Sequence, residues 1–292
     1  MTLIISVFEQ GFIYAIMALG IYITYKILDF PDLTVDGSFP MGAAITAVMI
    51  NAGIPAVLTL PVAFLAGGFV GMLTGVIHVK LHVRDLLSGI IMMTALYTVN
   101  LRIAGKANLP FYNQPTVFDN DAVNGFFPEG MRDFQTVIIL LVITAVVKLL
   151  LDWYMGTKSG FLLRAVGNKD TLVTSLGVDK GRVRIAGLSI ANALVTLGGC
   201  LFAQQQRYFD VTMGTGTMVI GLASVIIGTS LFRKVTFMKV TTAVILGSVI
   251  YKACVAVAIR LGLAASDMKL VTAVLFLIIL VLSMDKKRKV AS

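Results

Sequence analysis

Apolar runs close to the length of a bilayer crossing recur along this chain from end to end. They fall at residues 3–28, 39–51, 54–79, 86–103, 134–155, 185–203, 218–232, 240–259 and 270–284. A helix rises about 1.5 Å per residue, so about 20 apolar residues cross a hydrocarbon core of about 30 Å. Charged residues make up only 13% of the chain, against roughly 25% in a soluble domain. That combination excludes a soluble fold. An outer-membrane barrel is excluded as well, because its strands alternate apolar and polar residues and these runs are continuous. The expected fold class is an all-α integral membrane protein with about nine transmembrane helices, a single transmembrane domain over 1–292.

The charges orient these spans. The chain carries a net charge of +9. In a soluble protein this would raise nucleic acid as a partner. Here the basic residues lie in short loops and at the C-terminus, as the positive-inside bias requires, so no nucleic acid is expected. One basic loop holds His78, Lys80, His82 and Arg84, another Arg233, Lys234 and Lys239, and the tail has Lys286, Lys287, Arg288 and Lys289. The loop 104–133 is different. It sets Asp119, Asp121, Glu129 and Asp133 against Lys106 and Arg132, is broken by Pro110, Pro115 and Pro128, and reads as an irregular external loop. An odd number of spans with a cytoplasmic C-terminus puts the N-terminus outside, and every loop then falls on its expected side. The first apolar run lacks a basic leader and a placed cleavage site, so it reads as a retained span. Cys200 and Cys254 lie far apart in apolar segments and read as buried free thiols.

The basic segment 156–184 is more organised than a connector. Lys158, Arg164, Lys169, Lys180, Arg182 and Arg184 face only Asp170 and Asp179, while LLRAVGNKDTLVTSLG has helix-like apolar spacing punctuated by Gly167 and Gly177. The expectation is a short helix lying at the cytoplasmic membrane face, where a partner protein can dock.

Two spans, 39–51 and 218–232, are short for a crossing, and each follows a polar, helix-breaking stretch. The first break, 30–38, contains Asp32, Thr34, Asp36 and Ser38; the second, 209–217, contains Asp210, Thr212, Thr215 and Thr217. Similar breaks on spans running in opposite directions are the mark of an inverted repeat and point to a transport path. Two placements fit Asp29, Asp32 and Asp36. They sit solvated at the inner interface beside Lys26, or the break lines a cavity at membrane depth, where irregular backbone is tolerated. Gln204, Gln205, Gln206 and Arg207 read as a helix end in external water. Asn100 and Arg102 close the fourth span the same way, though Tyr97 and Asn100 also fit the path.

No Ser/His/Asp set, Walker lysine loop or paired buried carboxylates point to catalysis. His78 and His82 stand four residues apart but lack a third metal ligand nearby, so they read as interfacial structural histidines. Gly67, Gly68, Gly71, Gly75, Gly198, Gly199, Gly221, Ala223 and Gly228 suit close helix packing.

Over nearly its whole length the chain resembles the membrane subunits of bacterial ABC importers of the branched-chain amino acid/ribose permease class. Two regions carry the resemblance, ALGIYITYKILDFPDLTVDGSFPMGAA and GFLLRAVGNKDTLVTSLGVDKGRVRIAGLSIANALVTLGG. FPDLTVDGSFPMGAA is most similar to a tryptophan/tyrosine-type, largely uncharacterised subgroup. The chain starts without the extra N-terminal span of the sugar members, which favours an amino-acid-like substrate.

The resemblance implies a multi-pass permease of the bacterial cytoplasmic membrane that works with an ABC ATPase dimer, an extracytoplasmic substrate-binding protein and a second copy of itself. It implies that the 160–177 helix is the coupling helix, with Arg164, Ala165, Asn168, Lys169, Leu172, Leu176 and Gly177 as contacts. It implies no cofactor on this chain, ATP and Mg being held by the partner ATPase. An ion-coupled secondary transporter working through Asp32 and Asp36 is the alternative, since broken inverted repeats suit it too.

Overall fold

The computed structural model describes residues 2–168, 177–233, 235 and 238–261, with 270, 272–274, 276–278 and 281 beyond them. Helix α1 (Thr2–Ile21) continues into a π-helical turn (Tyr22–Ile27) and is followed by α2 (Val35–Asn51), α3 (Ala56–Lys80) and α4 (Asp85–Ala104). The long loop carries β1 (Asn108–Pro110), α5 (Asp121–Phe126) and a 3-10 turn (Glu129–Phe134). Then come α6 (Gln135–Met155), α7 (Lys158–Asn168), α8 (Lys180–Gln206), β2 (Tyr208–Asp210), α9 (Thr217–Leu231) and α10 (Val240–Arg260). The two short strands pair antiparallel, Leu109 opposite Phe209.

Among the described residues, six segments are long and apolar enough to cross a membrane: Leu3–Ile27, Ala56–Lys80, Asp85–Ala104, Met131–Met155, Lys180–Gln206 and Val240–Arg260. The two short spans are also helical, with 17 residues in α2 and 15 in α9. Eight of the nine expected spans thus have a helix, and the ninth, 270–284, is described only in part. Helix α2 starts four residues earlier than its apolar run, because Asp36, Gly37 and Ser38 form its first turn; Gly37 and Ser38 both donate to the Thr34 carbonyl, at 2.9 and 2.8 Å.

The helices run alternately between two ends. The loop end carries the β1–β2 pair. The basic end carries the turn after α3, and α7. Contacts at matching depths fix the order. Glu9 near the start of α1 accepts from Gln205 near the end of α8, 2.9 Å. Thr241 at the start of α10 donates to Asp152 near the end of α6, 2.7 Å.

Helix α8 is the central post. Its most apolar stretch is 72% buried by protein, against 28% for α4 and α6. The outer helices instead present Leu65, Phe69, Leu149 and Trp153 outwards, as lipid-facing surfaces do. Water supplies no hydrophobic drive between helices inside a bilayer, so close backbone approach has to supply the packing. At Gly42 a Cβ would stand 2.0 Å from the Thr196 carbonyl, and at Gly199 it would stand 1.9 Å from the Phe39 carbonyl. The pair locks α2 onto α8 from both sides. Cys200 is buried in this seam, but Cys254 is exposed on α10 rather than buried as expected.

Gly42→Val is therefore expected to destabilise the purified protein by about 1–3 kcal/mol through overpacking. Gly125→Ala, where nothing lies within 4 Å, is the neutral control. The thermal midpoint in detergent reads both, and equal midpoints would remove the close-packed seam from the account.

Candidate functional site

Between the π turn and α2 the chain makes a break at membrane depth. The last helical bonds run from Leu28 N–H to the Ile23 carbonyl and from Phe30 N–H to the Thr24 carbonyl, both 2.9 Å. Asp29 takes a left-handed backbone (φ 52) and is exposed. Asp32 is fully buried. A buried carboxylate is costly unless its oxygens are filled. One Asp32 oxygen accepts the Thr34 N–H at 2.9 Å and the other accepts Asn192 Nδ2 at 2.7 Å. Asn192 Oδ1 in turn accepts Ser38 Oγ at 2.7 Å. Thr34 Oγ1 lies 3.1 Å from Thr74 Oγ1 on α3. Asn192 is the thirteenth of the 27 residues of α8, so this network sits near mid-membrane.

Asp36 does a second job. The first amides of any helix lack internal partners and carry its positive end. Gly216 (φ 86) is the residue just before helix α9 and has no side chain to cap it with. Asp36 supplies the cap from α2: Oδ2 accepts Gly216 N–H at 3.0 Å, and Oδ1 accepts Met218 N–H and Thr217 Oγ1, each at 2.9 Å. Pro40 has no N–H to offer the Asp36 carbonyl, and Gly214 packs against that carbonyl so closely that a Cβ would stand 2.0 Å away. The two breaks therefore meet, joined by one carboxylate.

Asn100 closes the group, donating to the Gly37 carbonyl at 3.0 Å while its own Oδ1 is buried without a partner among the described residues. The structure thus brings Asp32, Thr34, Asp36, Ser38, Asn100 and Thr217 together. It leaves Asp210 and Thr212 at the loop end, where Asp210 accepts from Thr212 N–H at 2.8 Å and from Asn108 Nδ2 at 3.3 Å. Thr215 lies between, exposed to a separate cavity. Tyr97 points outwards, half exposed.

Of the two placements for the acidic cluster, solvation holds for Asp29; Asp32 is buried and Asp36 is partly buried and engaged. Gln204 is not a helix end in water. It is buried, donates to Thr59 Oγ1 at 2.9 Å and accepts the Val117 N–H at 2.8 Å, tying the long loop to α3. Asn192, Thr74 and Lys252 were absent from the sequence candidates; a polar or charged side chain in the middle of an apolar run was their signal. His78 bonds the Val83 carbonyl at 2.9 Å, and its other ring nitrogen lies 3.3 Å from an Arg184 nitrogen, a structural placement.

Where the docking helix was expected the structure has α7, an 11-residue helix that ends at Asn168, and 169–176 lie outside the described residues. Its inward face is Gly160, Leu163, Val166 and Gly167. Gly167 sits on the Ile27 carbonyl, where a Cβ would stand 1.6 Å away, and Leu163 meets Gly187 of α8. Phe161 and Arg164 face out. The Arg164 guanidinium turns back to the Met155 carbonyl at 2.5 Å and lies 4.8 Å from the Phe161 ring centroid. Ala165 is half-buried. Lys169, Leu172 and Leu176 lie outside the described residues, as does the Asn168 side chain; Gly177 is left-handed (φ 70).

At the loop end a cavity of about 500 Å³ is lined by Glu9, Asp119, Arg132, Gln135, Gln205 and Arg207. Arg207 forms an ion pair with Asp119 and donates to the Tyr112 carbonyl at 2.6 Å. The Asn124 hydrogen bond, then the Arg207 one, holds the Asp119 carboxyl below the usual carboxylate range.

Two outcomes follow from this geometry. Asp36→Ala removes the cap of α9 and should cost about 1–3 kcal/mol of stability. Asp36→Asn, which keeps one acceptor oxygen, should cost less. Comparable thermal midpoints for Asp36→Ala and the parent would show that the carboxylate braces nothing. Asp119 has a depressed folded pKa, so its contribution is complete above the unfolded value of about 3.9 and fades as pH falls through the folded one. Amide exchange over 116–124 should rise in that acid range, and Asp119→Asn should abolish the pH dependence.

Residues 3–284 match the family described as branched-chain amino acid transport system/permease component. The tyrosine transport system permease protein of Clostridioides difficile (strain R20291) is 43% identical over 274 residues, covering 94% of this chain and 89% of that protein. An uncharacterized protein of Rickettsia prowazekii is 32% identical over 284 residues, 95% of this chain and 96% of its own length. The ribose import permease protein RbsC of Escherichia coli (strain K12) is 23% identical over 231 residues, 76% of this chain and 68% of that protein. No solved structure matches the chain. A buried polar break held between apolar helices suits a membrane permease, and by this family match the chain belongs to the branched-chain amino acid transport system permeases, the membrane subunits of ABC-type importers.

Proposed function

We propose that this permease forms one half of the translocation path of an ATP-driven importer of an amino acid, an aromatic one being favoured. The observation that carries the reading is the seat of α7 on the carbonyl of Ile27. Ile27 ends the π turn, and the break that holds Asp32 begins one residue later. A push on α7 at the basic end is thereby delivered to the backbone that leads into the mid-membrane network. Leu163, packed on Gly187, delivers it to α8 as well.

In this reading an ABC ATPase dimer, with its ATP and Mg, docks at the basic end against the exposed Phe161 and the residues that follow it, including Lys169, Leu172 and Leu176. Arg164 shapes the docking face by holding Met155 and stacking near Phe161. A substrate-binding protein docks at the loop end, and a second copy completes the path. The basic end is cytoplasmic, the N-terminus is outside and the C-terminus is inside, with nine crossings. The paired breaks, Asp32–Ser38 and 210–217, are the centres of an inverted repeat and line the path with Asn100 and Thr217. ATP binding moves solute only if each state of the ATPase favours one arrangement of these helices. The tyrosine permease at 43% identity supports an aromatic substrate. Asp32 and Asp36 spend their oxygens on Thr34, Asn192, Gly216, Thr217 and Met218. That engagement speaks for bracing over ion coupling.

Phe161→Asp is expected to abolish co-purification with the cognate ATPase and to cut ATP-driven tyrosine uptake in proteoliposomes at least tenfold, with membrane insertion intact. Normal ATPase capture by this variant would overturn the docking assignment.

A further inference from the structure

Lys252 stands in the middle of α10, thirteenth of its 21 residues, and is only 9% exposed. A lysine at bilayer depth costs about 2.5–3.5 kcal/mol even on the mildest scale, and such residues face partners or polar cavities. The partners of this one are weak for a full charge. Its Nζ lies 3.6 Å from the Tyr14 ring centroid and 3.3 Å from Gln10 Oε1. Among the described residues no carboxylate reaches it; the ion pairs there belong to Lys148, Lys239, Arg182 and Arg207. An aromatic face and an amide oxygen stabilise an ammonium but leave its charge unbalanced and donors to spare.

That ammonium borders a cavity of about 330 Å³, which is also lined by Tyr14, Thr215, Gly216, Tyr251 and Thr272. The volume lies at the small end of the roughly 300–1,000 Å³ of small-molecule sites. Tyr251 Oη donates to Thr272 Oγ1 at 2.9 Å, which orients one aromatic wall. Gly216 places the cavity against the start of α9. The amides there are already taken by Asp36, so the helix end itself offers no free anion site. The positive charge without a carboxylate partner among the described residues is the lysine's.

We propose that Lys252 and this cavity form a subsite for the carboxylate of an amino-acid solute, with Tyr14 and Tyr251 flanking the rest of the molecule. The inference rests on the importer reading above and adds the group that recognises the acid end of the substrate. It also gives α9 a role in sensing occupancy, since Gly216 touches the cavity on one side and Asp36 on the other.

Equilibrium binding to the full chain in nanodiscs, without ATPase or binding protein, tests it. The probes are radiolabelled L-tyrosine, L-tryptophan and L-leucine, each paired with its decarboxylated amine: tyramine, tryptamine and isoamylamine. At least one acid should bind, and its amine should bind at least about tenfold more weakly, the loss of one buried charge pair. Lys252→Met should erase that preference and Lys252→Arg should keep most of it. The parent protein's acid-over-amine preference remains readable even where Lys252→Met folds poorly. No binding of any acid, equal binding of acid and amine, or an unchanged preference in well-folded Lys252→Met would each overturn the subsite. Failure of the importer reading shows separately, as absence of ATPase capture, and the binding assay reads regardless of it.

Discussion

A bilayer offers no water to a broken helix, and two helices of this permease begin inside one. Every amide and carbonyl left open at those starts has to be met by protein. Asp36 meets the amides of α9, Asp32 meets the amide of Thr34, and Asn192 fastens Asp32 and Ser38 to the central post. Take these away and neither α2 nor α9 has a reason to start where it does. The acids are tolerable at that depth for the same reason, because each oxygen has a donor. One economy satisfies both sides: orphan amides need acceptors, and buried carboxylates need donors.

The glycine seam makes this possible. Gly42 and Gly199 bring α2 and α8 close enough for Asn192 to reach both Asp32 and Ser38. At the basic end the same device recurs in Gly167, which lets α7 rest on backbone rather than on a flexible side chain. A contact between backbones transmits displacement with little slack. It links α7 to the break through Ile27 and Leu28.

Much of this was legible in the chain. The apolar runs mark eight described helices to within a few residues, because about 20 apolar residues have few other uses. The basic loops gather at one end of the bundle, as charge bias implies. The two breaks were visible as polar, glycine-rich interruptions. What remained hidden was who meets whom. Asp32 and Asp29 look alike in sequence, yet one is fully buried and the other exposed. Gln204 reads as a wet helix end until Val117 and Thr59 are brought to it by the folded loop. Arg164 looks in the sequence like a contact for a partner, yet in the structure its guanidinium turns back to the Met155 carbonyl.

Composition and periodicity alone determined that this chain is a helical membrane protein, which end is basic and where its helices break, because these follow from the cost of placing apolar or charged residues on the wrong side of an interface. The family motifs are local strings as well, and so was the class of importer permease. Only the tertiary structure decided that the two breaks share one carboxylate, that α7 bears on the first of them, and that Lys252 faces a cavity with no carboxylate at hand among the described residues. Those are pairings between residues as far apart as Asp36 and Met218, or Gln10 and Lys252. They depend on which helix faces come into contact, and residue order along the chain does not encode that directly.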